Sequence, residues 1–279
     1  MAFAPLPLHT WPVDQRQRIV GVFTDIDDTL TTEGAITPPA LQALADLTVR
    51  GLHVIPITGR PVGWSVPFAR TWPVDAIVAE NGAVALVGQY RAYQRAGAVA
   101  HATSTDMPTR LYTQNADTRA THYQRMQAVL ERIERDVPGA RRAQDSAGRE
   151  TDIAIDHSEF THLPLPAIDA VVRIMQNEGM TATVSSIHIN GWFGQHDKFT
   201  GACWIVRELL GRDLTQELDR WVYVGDSTND QSMFQRFQHS VGVANIRRFA
   251  DQLNHPPRYI TPSERGAGFA EFAQLLLAG

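Results

Sequence analysis

The sequence predicts an α/β protein with a Rossmann-like parallel-sheet core, helices on both faces of that sheet, and an inserted α+β domain. Three observations predict it. Short β-branched apolar runs end abruptly in polar turns, helical repeats alternate with those runs near both ends of the chain, and the middle of the chain breaks the alternation. Strands that alternate with helices imply a parallel sheet covered on both faces. Buried parallel strands read as continuous apolar runs rather than as every second residue.

The first run, IVGVFT at 19–24, is followed at once by acidic residues. Pro38 and Pro39 then open a helix, because proline suits a first helical turn whose N–H groups lack partners anyway. Leu41, Leu44 and Leu47 repeat at helical spacing, and Gly51 marks the stop. Strands follow at 54–57, with an internal Pro56 that disfavours a central place, and at 76–79. Near the C-terminus a helix at 200–210 carries Trp204, Ile205, Leu209 and Leu210 inward, with Gly211 past its end. Strands at 221–224, 241–243 and 258–260 and a closing helix at 269–277 complete the pattern.

Between 84 and 190 strands pair beside helices instead of alternating with them. A hairpin is expected around Gly88, with arms at 83–87 and 90–93, followed by a loop from Ala98 to Pro108. Next come a long helix at 118–135, strands at 140–143 and 152–156, a helix at 165–177, and strands at 181–184 and 187–189. The expected division is a core at 1–83 and 191–279 with an inserted domain at 84–190.

Apolar residues make up 43% of the 279 and charged residues 20%, enough for a packed core. A net charge of −5 lacks the basic footprint of a nucleic-acid binder. No window reaches about 18 apolar residues, so no membrane-spanning helix is expected. The first residues lack a secretory signal pattern, and a cytoplasmic monomer or small homo-oligomer is expected. Cys203 is the single cysteine, so no intrachain disulfide can form. Its apolar surroundings suggest a buried small hydrophobe rather than a nucleophile.

Four polar clusters stand at or near the C-terminal ends of predicted core strands, where open parallel sheets place ligands. The first holds Asp25, Asp27 and Asp28, carboxylates that repel one another unless a cation intervenes. Hard Mg2+ suits carboxylate oxygens together with a substrate phosphate. Thr58-Gly59-Arg60 reads alone as a strand-to-helix turn. Lys198 taken alone is an ordinary lysine. Gly225-Asp226-Ser227-Thr228-Asn229-Asp230 forms a second acidic turn.

Together, in this order, the four clusters resemble the motifs of the haloacid dehalogenase superfamily, and within it the Cof-type branch that includes sugar-phosphate phosphatases. Asp25, Asp27 and Thr29 match its DxDxT motif, Thr58 its second-motif hydroxyl, and Lys198 its third-motif lysine. Gly225, Asp226, Ser227, Asn229 and Asp230 match its GDSxND motif, and Asn81-Gly82-Ala83 also matches this branch. Asp28 departs from it, standing where glycine is common. The resemblance implies an Mg2+-dependent phosphatase acting on a small phosphorylated metabolite. Asp25 would be the nucleophile and Asp27 the general acid–base. Thr58, Lys198 and Asn229 would bind phosphate, and Asp25, Asp27 (by its backbone carbonyl), Asp226 and Asp230 would surround the metal.

A dehalogenase on the same scaffold would not need Asp27. A phosphomutase would share every motif, and a non-catalytic sugar-phosphate-binding protein would be expected to have lost an aspartate. The resemblance also implies that the insert caps the pocket and selects the leaving group. Arg149, His188, Asn190 and Trp192 are its candidate contacts. Trp192 would either stack on a sugar or pack the hinge.

Overall fold

The structure, a computed structural model, describes residues 4–88 and 107–278. In chain order the elements are β1 (Leu6–Pro7), α1 (Val13–Arg16), β2 (Gly21–Thr24), β3 (Thr31–Thr32), β4 (Ala35–Ile36), α2 (Pro38–Val49), β5 (His53–Pro56), α3 (Val62–Thr71), β6 (Ala76–Ala79) and β7 (Val84–Val87). They continue with β8 (Thr109–Tyr112), α4 (Ala116–Asp136), β9 (Arg141–Arg142), β10 (Ile153–Asp156), α5 (Leu165–Asn177), β11 (Thr181–Val184) and β12 (His188–Trp192). The C-terminal part holds α6 (Lys198–Leu210), β13 (Trp221–Gly225), α7 (Gln231–Arg236), β14 (His239–Gly242), β15 (Tyr259–Ile260) and α8 (Arg265–Leu277).

The core sheet runs β1-β15-β14-β13-β2-β5, with every pairing parallel. Because strand side chains alternate faces, Val22, Val222 and Val224 point one way and Phe23, Trp221 and Tyr223 the other. Ala40, Leu44, Leu47, Phe269 and Phe272 of α2 and α8 cover the first face. Phe199, Ile205, Val206, Met233 and Phe234 of α6 and α7 cover the second. This is the predicted doubly covered sheet. Of the residues expected to point inward on α6, Ile205 is buried while Trp204, Leu209 and Leu210 reach only the rim; Phe199 and Ala202, not among them, are buried as well.

β5 is the last strand of this sheet, in keeping with Pro56, which is its final residue and so interrupts little of the ladder. A parallel bridge between Ile57 and Val78 links it to an antiparallel sheet, β6-β7-β8. That sheet corrects the expected boundary at 84. β7 pairs with β6 along its length and buries Val84 and Leu86 in the core, so it belongs to the core edge. Its other neighbour is β8. The arm expected at 90–93 and most of the 98–108 loop lie outside the described residues.

The separately packed insert therefore begins with α4. It comprises an antiparallel sheet, β11-β12-β10-β9, and the helices α4 and α5. Its own core includes Met126, Leu130, Ile133, Ile153, Ile155, Val171, Met175, Ile189 and Trp192. β12 runs to Trp192, past the expected end at 190. Among the described residues no helix is long and apolar enough to cross a membrane.

Candidate active site

Val224, Thr24 and Pro56 lie side by side in the register of β13, β2 and β5. The residues just beyond them, Asp226, Asp25 and Thr58, must therefore emerge at one edge, since neighbouring strands stand only about 4.8 Å apart. Hydrogen bonds extend this alignment past the strand ends: Asp25 N–H to Val224 O at 2.8 Å and Ile57 N–H to Thr24 O at 2.8 Å.

Lys198 reaches the same point from the first turn of α6. Asp197 caps this helix, accepting from Thr200 N–H at 2.7 Å. The helix start is pressed against the turn after β6, where Glu80, Asn81 and Gly82 all have positive φ. A side chain on Gly82 would meet Asp197 O at 2.3 Å, and one on Gly201 would meet Gly82 Cα at 2.4 Å. This glycine-to-glycine contact explains the Asn-Gly pair after β6 and sets how far Lys198 extends inward. An ammonium at a helix N-terminus opposes the helix dipole, and two carboxylates offset it. Lys198 Nζ donates to Asp25 Oδ1 and Asp230 Oδ1, both at 2.7 Å.

Asp230 is saturated. Besides Lys198 it accepts from Tyr223 OH, from Asp226 N–H at 2.9 Å and from Ser227 N–H at 3.1 Å. It therefore positions its neighbours. Asp226 differs: Thr29 Oγ1 lies at 3.4 Å and Asn245 Nδ2 at 3.0 Å, both neutral. Carboxylate oxygens of Asp25, Asp226 and Asp230 lie within 4.8 Å of one another, all buried. Burial, set against the charge of Lys198 and reinforced by Asp230 and Asp27, pushes Asp25 up to about 7. Burial and then the charges of Asp25 and Asp230 push Asp226 well above the ordinary carboxylate range. Three buried carboxylates around one ammonium are short of positive charge, and the all-oxygen donor set is of the kind hard Mg2+ accepts.

Asp27 lies outside that trio. Its carboxylate is held bidentately by Arg60, from Nε at 3.0 and 2.9 Å and from Nη2 at 2.9 Å. Asp28, at φ 55, turns away to form an ion pair with Arg265 at 3.0 Å, which neutralises its extra charge. Cys203 is half-buried rather than fully buried. Burial and the charge of Asp213 raise its thiol to about 11, away from the reactive thiolate form.

Asp25, Asp27, Thr58, Asn229, His188 and Asn190 line one pocket, together with Arg60 and the 185–187 turn of the insert. Thr58 Oγ1 accepts from Arg60 N–H at 3.0 Å, and Asn229 Oδ1 accepts from Ser227 Oγ at 2.8 Å. The cavity is only about 10 Å³, roughly the room one water needs.

Two of the expected leaving-group contacts lie elsewhere. Arg149 is buried and spends its donors on Asp152 at 2.7 and 2.9 Å, Asp145 at 3.2 and 3.3 Å, and Gly59 O at 3.0 Å. Trp192 packs in the insert's core, stacked on His196, and donates to His196 O at 3.0 Å. Asn190 lines the pocket but also donates to Asp152 at 2.9 Å and to Gly59 O at 3.3 Å. His188 Nε2 lies 2.7 Å from Glu159 Oε2.

Sequence reasoning missed Arg60, Tyr223, Glu159 and Asn245. Tyr223 was visible as the one hydroxyl in an apolar strand, and Asn245 as the first amide side chain beyond the end of β14. Glu159 had no local signal.

A family model described as haloacid dehalogenase-like hydrolase matches residues 22–102. No curated protein matches the sequence. Among solved structures, a Thermoplasma acidophilum protein aligns with a TM-score of 0.69 at 15% identity, over 94% of this chain and 99% of that one. The sucrose-phosphatase of Synechocystis, in complex with sucrose and phosphate, aligns at 0.62 and 13% identity, over 92% and 97%. A haloacid dehalogenase-like hydrolase from Bacteroides thetaiotaomicron aligns at 0.59 and 15% identity, over 92% and 98%. The fold and the resemblance carried by the motifs are both borne out.

Proposed function

Starting from a haloacid dehalogenase-like hydrolase, we propose that the protein is an Mg2+-dependent phosphatase that hydrolyses a small phosphate monoester, a sugar phosphate, through an aspartyl-phosphate on Asp25. One observation carries this reading. Asp25 sits beside Lys198 and Asp226, at the ends of adjacent parallel strands, and faces a pocket shared with Asp27, Thr58 and Asn229.

An Asp25 oxygen attacks phosphorus, an O–P bond forms, and the ester P–O bond breaks with its electron pair going to the leaving oxygen. Asp27 supplies the proton that oxygen needs. In the second half a water attacks the phosphoryl group, its proton passes to Asp27, and the acyl phosphate releases inorganic phosphate. Lys198, Thr58 and Asn229 hold the non-bridging oxygens as their charge shifts. Mg2+ held by Asp25 and Asp226 would offset the repulsion between an anionic nucleophile and an anionic phosphate.

The cavity is too small for a sugar phosphate. The insert therefore acts as a cap that withdraws to admit substrate and closes over it. His188 and Asn190 contribute the leaving-group contacts, and the polar, uncharged character of Asn190 and the serines beside it suits a hydroxylated leaving group.

Phosphate release from a panel of sugar phosphates and p-nitrophenyl phosphate tests the reading. EDTA should abolish release and Mg2+ restore it, while Ca2+, with longer bonds and more ligands, should not. Asp25→Asn should lower kcat by at least roughly 10^3-fold. Near-normal turnover by that variant would end the assignment.

A further inference from the structure

Among the described residues, each arginine and lysine at or beside the pocket is already spent on carboxylates. A guanidinium has five N–H donors in a fixed fork, and at Arg60 carboxylates take them all. Nε faces Asp27 alone. Nη2 divides between Asp27 at 2.9 Å and Glu159 at 2.8 Å, and Nη1 between Asp145 at 3.1 Å and Glu159 at 3.3 Å. The Trp64 ring lies against the guanidinium, its centre 5.0 Å from the central carbon. Lys198 is shared by Asp25 and Asp230, and Arg149 by Asp145, Asp152 and Gly59 O.

Asp27 alone would balance one guanidinium, so Asp145 and Glu159 are anions in excess, both supplied by the insert. Burial alone would raise the Glu159 carboxyl, but the hydrogen bonds from His188 and Arg60 outweigh it and hold it at about 2. It therefore stays ionised at neutral pH. The insert's own lining of the pocket is Ser185, Ser186, Ile187, His188 and Asn190, with no arginine or lysine among them. His188 turns Nε2 toward Glu159 at 2.7 Å. A leaving group on this side of the pocket thus meets hydroxyl, amide and carboxylate groups, but no unspent guanidinium or ammonium.

We propose that Glu159 and Asp145 are specificity-determining residues that restrict the substrate to a phosphate monoester carrying no second anionic group. By occupying Arg60 they withhold the cation that a second phosphate or a carboxylate on the leaving group would need. Such a group would be buried unpaired beside two carboxylates, which is costly. A neutral polyol or an amino sugar meets no such penalty. Unpaired charge raised against the wrong ligand discriminates as well as contacts made to the right one. Bisphosphates and phosphorylated sugar acids are therefore rejected. This inference rests on the phosphatase reading and states which leaving groups that phosphatase accepts.

The test uses esters of one shape: p-ethylphenyl, p-(aminomethyl)phenyl and p-(carboxymethyl)phenyl phosphate. Their leaving groups are neutral, cationic and anionic, and the methylene keeps their acidities similar. With Mg2+ present, kcat/KM for the carboxymethyl ester should lie at least about tenfold below that for the ethyl ester. The aminomethyl ester should not fall below the ethyl ester. Hexose and hexosamine monophosphates should likewise exceed hexose bisphosphates and phosphorylated sugar acids. Raising the salt to about 0.5 M should preserve the order, because buried charges are screened little. Glu159→Gln removes the charge, and Glu159→Ala also vacates its place beside Arg60 for a carboxylate on the substrate. In both variants the ratio of carboxymethyl to ethyl ester should rise at least about fivefold, through KM, and a ratio cancels any general loss of activity. Equal use of the anionic and neutral esters by the parent, loss of the order in salt, or an unchanged ratio in both variants would overturn the proposal and leave the phosphatase reading intact. If the parent released phosphate from none of these esters or sugar phosphates, the phosphatase reading would fall instead.

Discussion

In the core, Asp25, Asp226 and Asp230 crowd around one ammonium. At the seam with the insert, Asp27, Asp145, Asp152 and Glu159 are met by the guanidiniums of Arg60 and Arg149. Both clusters gather several carboxylates, yet they differ in one respect. Each of these four seam carboxylates touches an arginine, whereas Asp226 touches only neutral donors. A buried anion without a cationic partner is costly, so the core cluster calls for a metal. The seam is satisfied by its own side chains, and what it can do is hold or release the insert. On the function proposed above, chemistry and closure fall to two networks that meet at Asp27 and Arg60.

The sharpest way to break this contrast is Asp226→Asn. Activity should fall by roughly 10^2-fold or more as metal binding is lost. In EDTA, however, the variant should melt higher than its parent, because an unpaired buried charge has been removed. The upward shift in Tm on adding Mg2+, expected of any ligand that binds only the folded state, should disappear. A lower Tm in EDTA would show that Asp226 is already compensated.

The seam should respond in the opposite sense. Arg149→Met strips Asp152 of its cation, and removing one partner of a buried pair costs about 3–5 kcal/mol. Urea unfolding should show that loss with and without Mg2+, and both esters should be hydrolysed less well because the insert no longer docks. A selective rise in KM for the sugar phosphate alone would restore Arg149 as a leaving-group contact.

The pH dependence of stability separates the two networks. Burial raises Asp152 to about 7 against the pull of Arg149, and Asp25 to about 7 as well. A carboxyl with a raised folded-state pKa stabilises fully below its unfolded value, near 3.8, and that contribution is lost as pH climbs to about 7. Metal-free protein should therefore lose Tm between about pH 4 and 7. Mg2+ should flatten the part due to Asp25 and leave the part due to Asp152, which Asp152→Asn should remove. Identical slopes with and without Mg2+ would mean that the cation does not engage Asp25.

The smallest effect expected is that of His188→Ala. KM for the preferred sugar phosphate should rise several-fold, while p-nitrophenyl phosphate, which needs no contact with the insert, stays within about threefold.

The core and its acidic residues were legible in the sequence because their signals are local. A buried parallel strand is a continuous apolar run, and Asp25, Thr58 and Asp226 each stand directly past one. Strand register then forces them together whatever the rest of the chain does. The helix bounds followed equally local rules, with Pro38 at the start of α2 and Gly211 past the end of α6.

What the tertiary structure decided is which long polar side chains meet. Arg149 and His188 looked alike as candidates on the insert, but one is consumed by Asp152 and the other lines the pocket. Arg60 read as part of a turn until Asp145 and Glu159, 85 and 99 residues away, were brought against it. Strand pairing likewise moved β7 from the insert to the core, since an apolar strand can complete either sheet. The partner of a buried charge depends on contacts between distant segments, and the chain encodes these only through the packing of the whole fold.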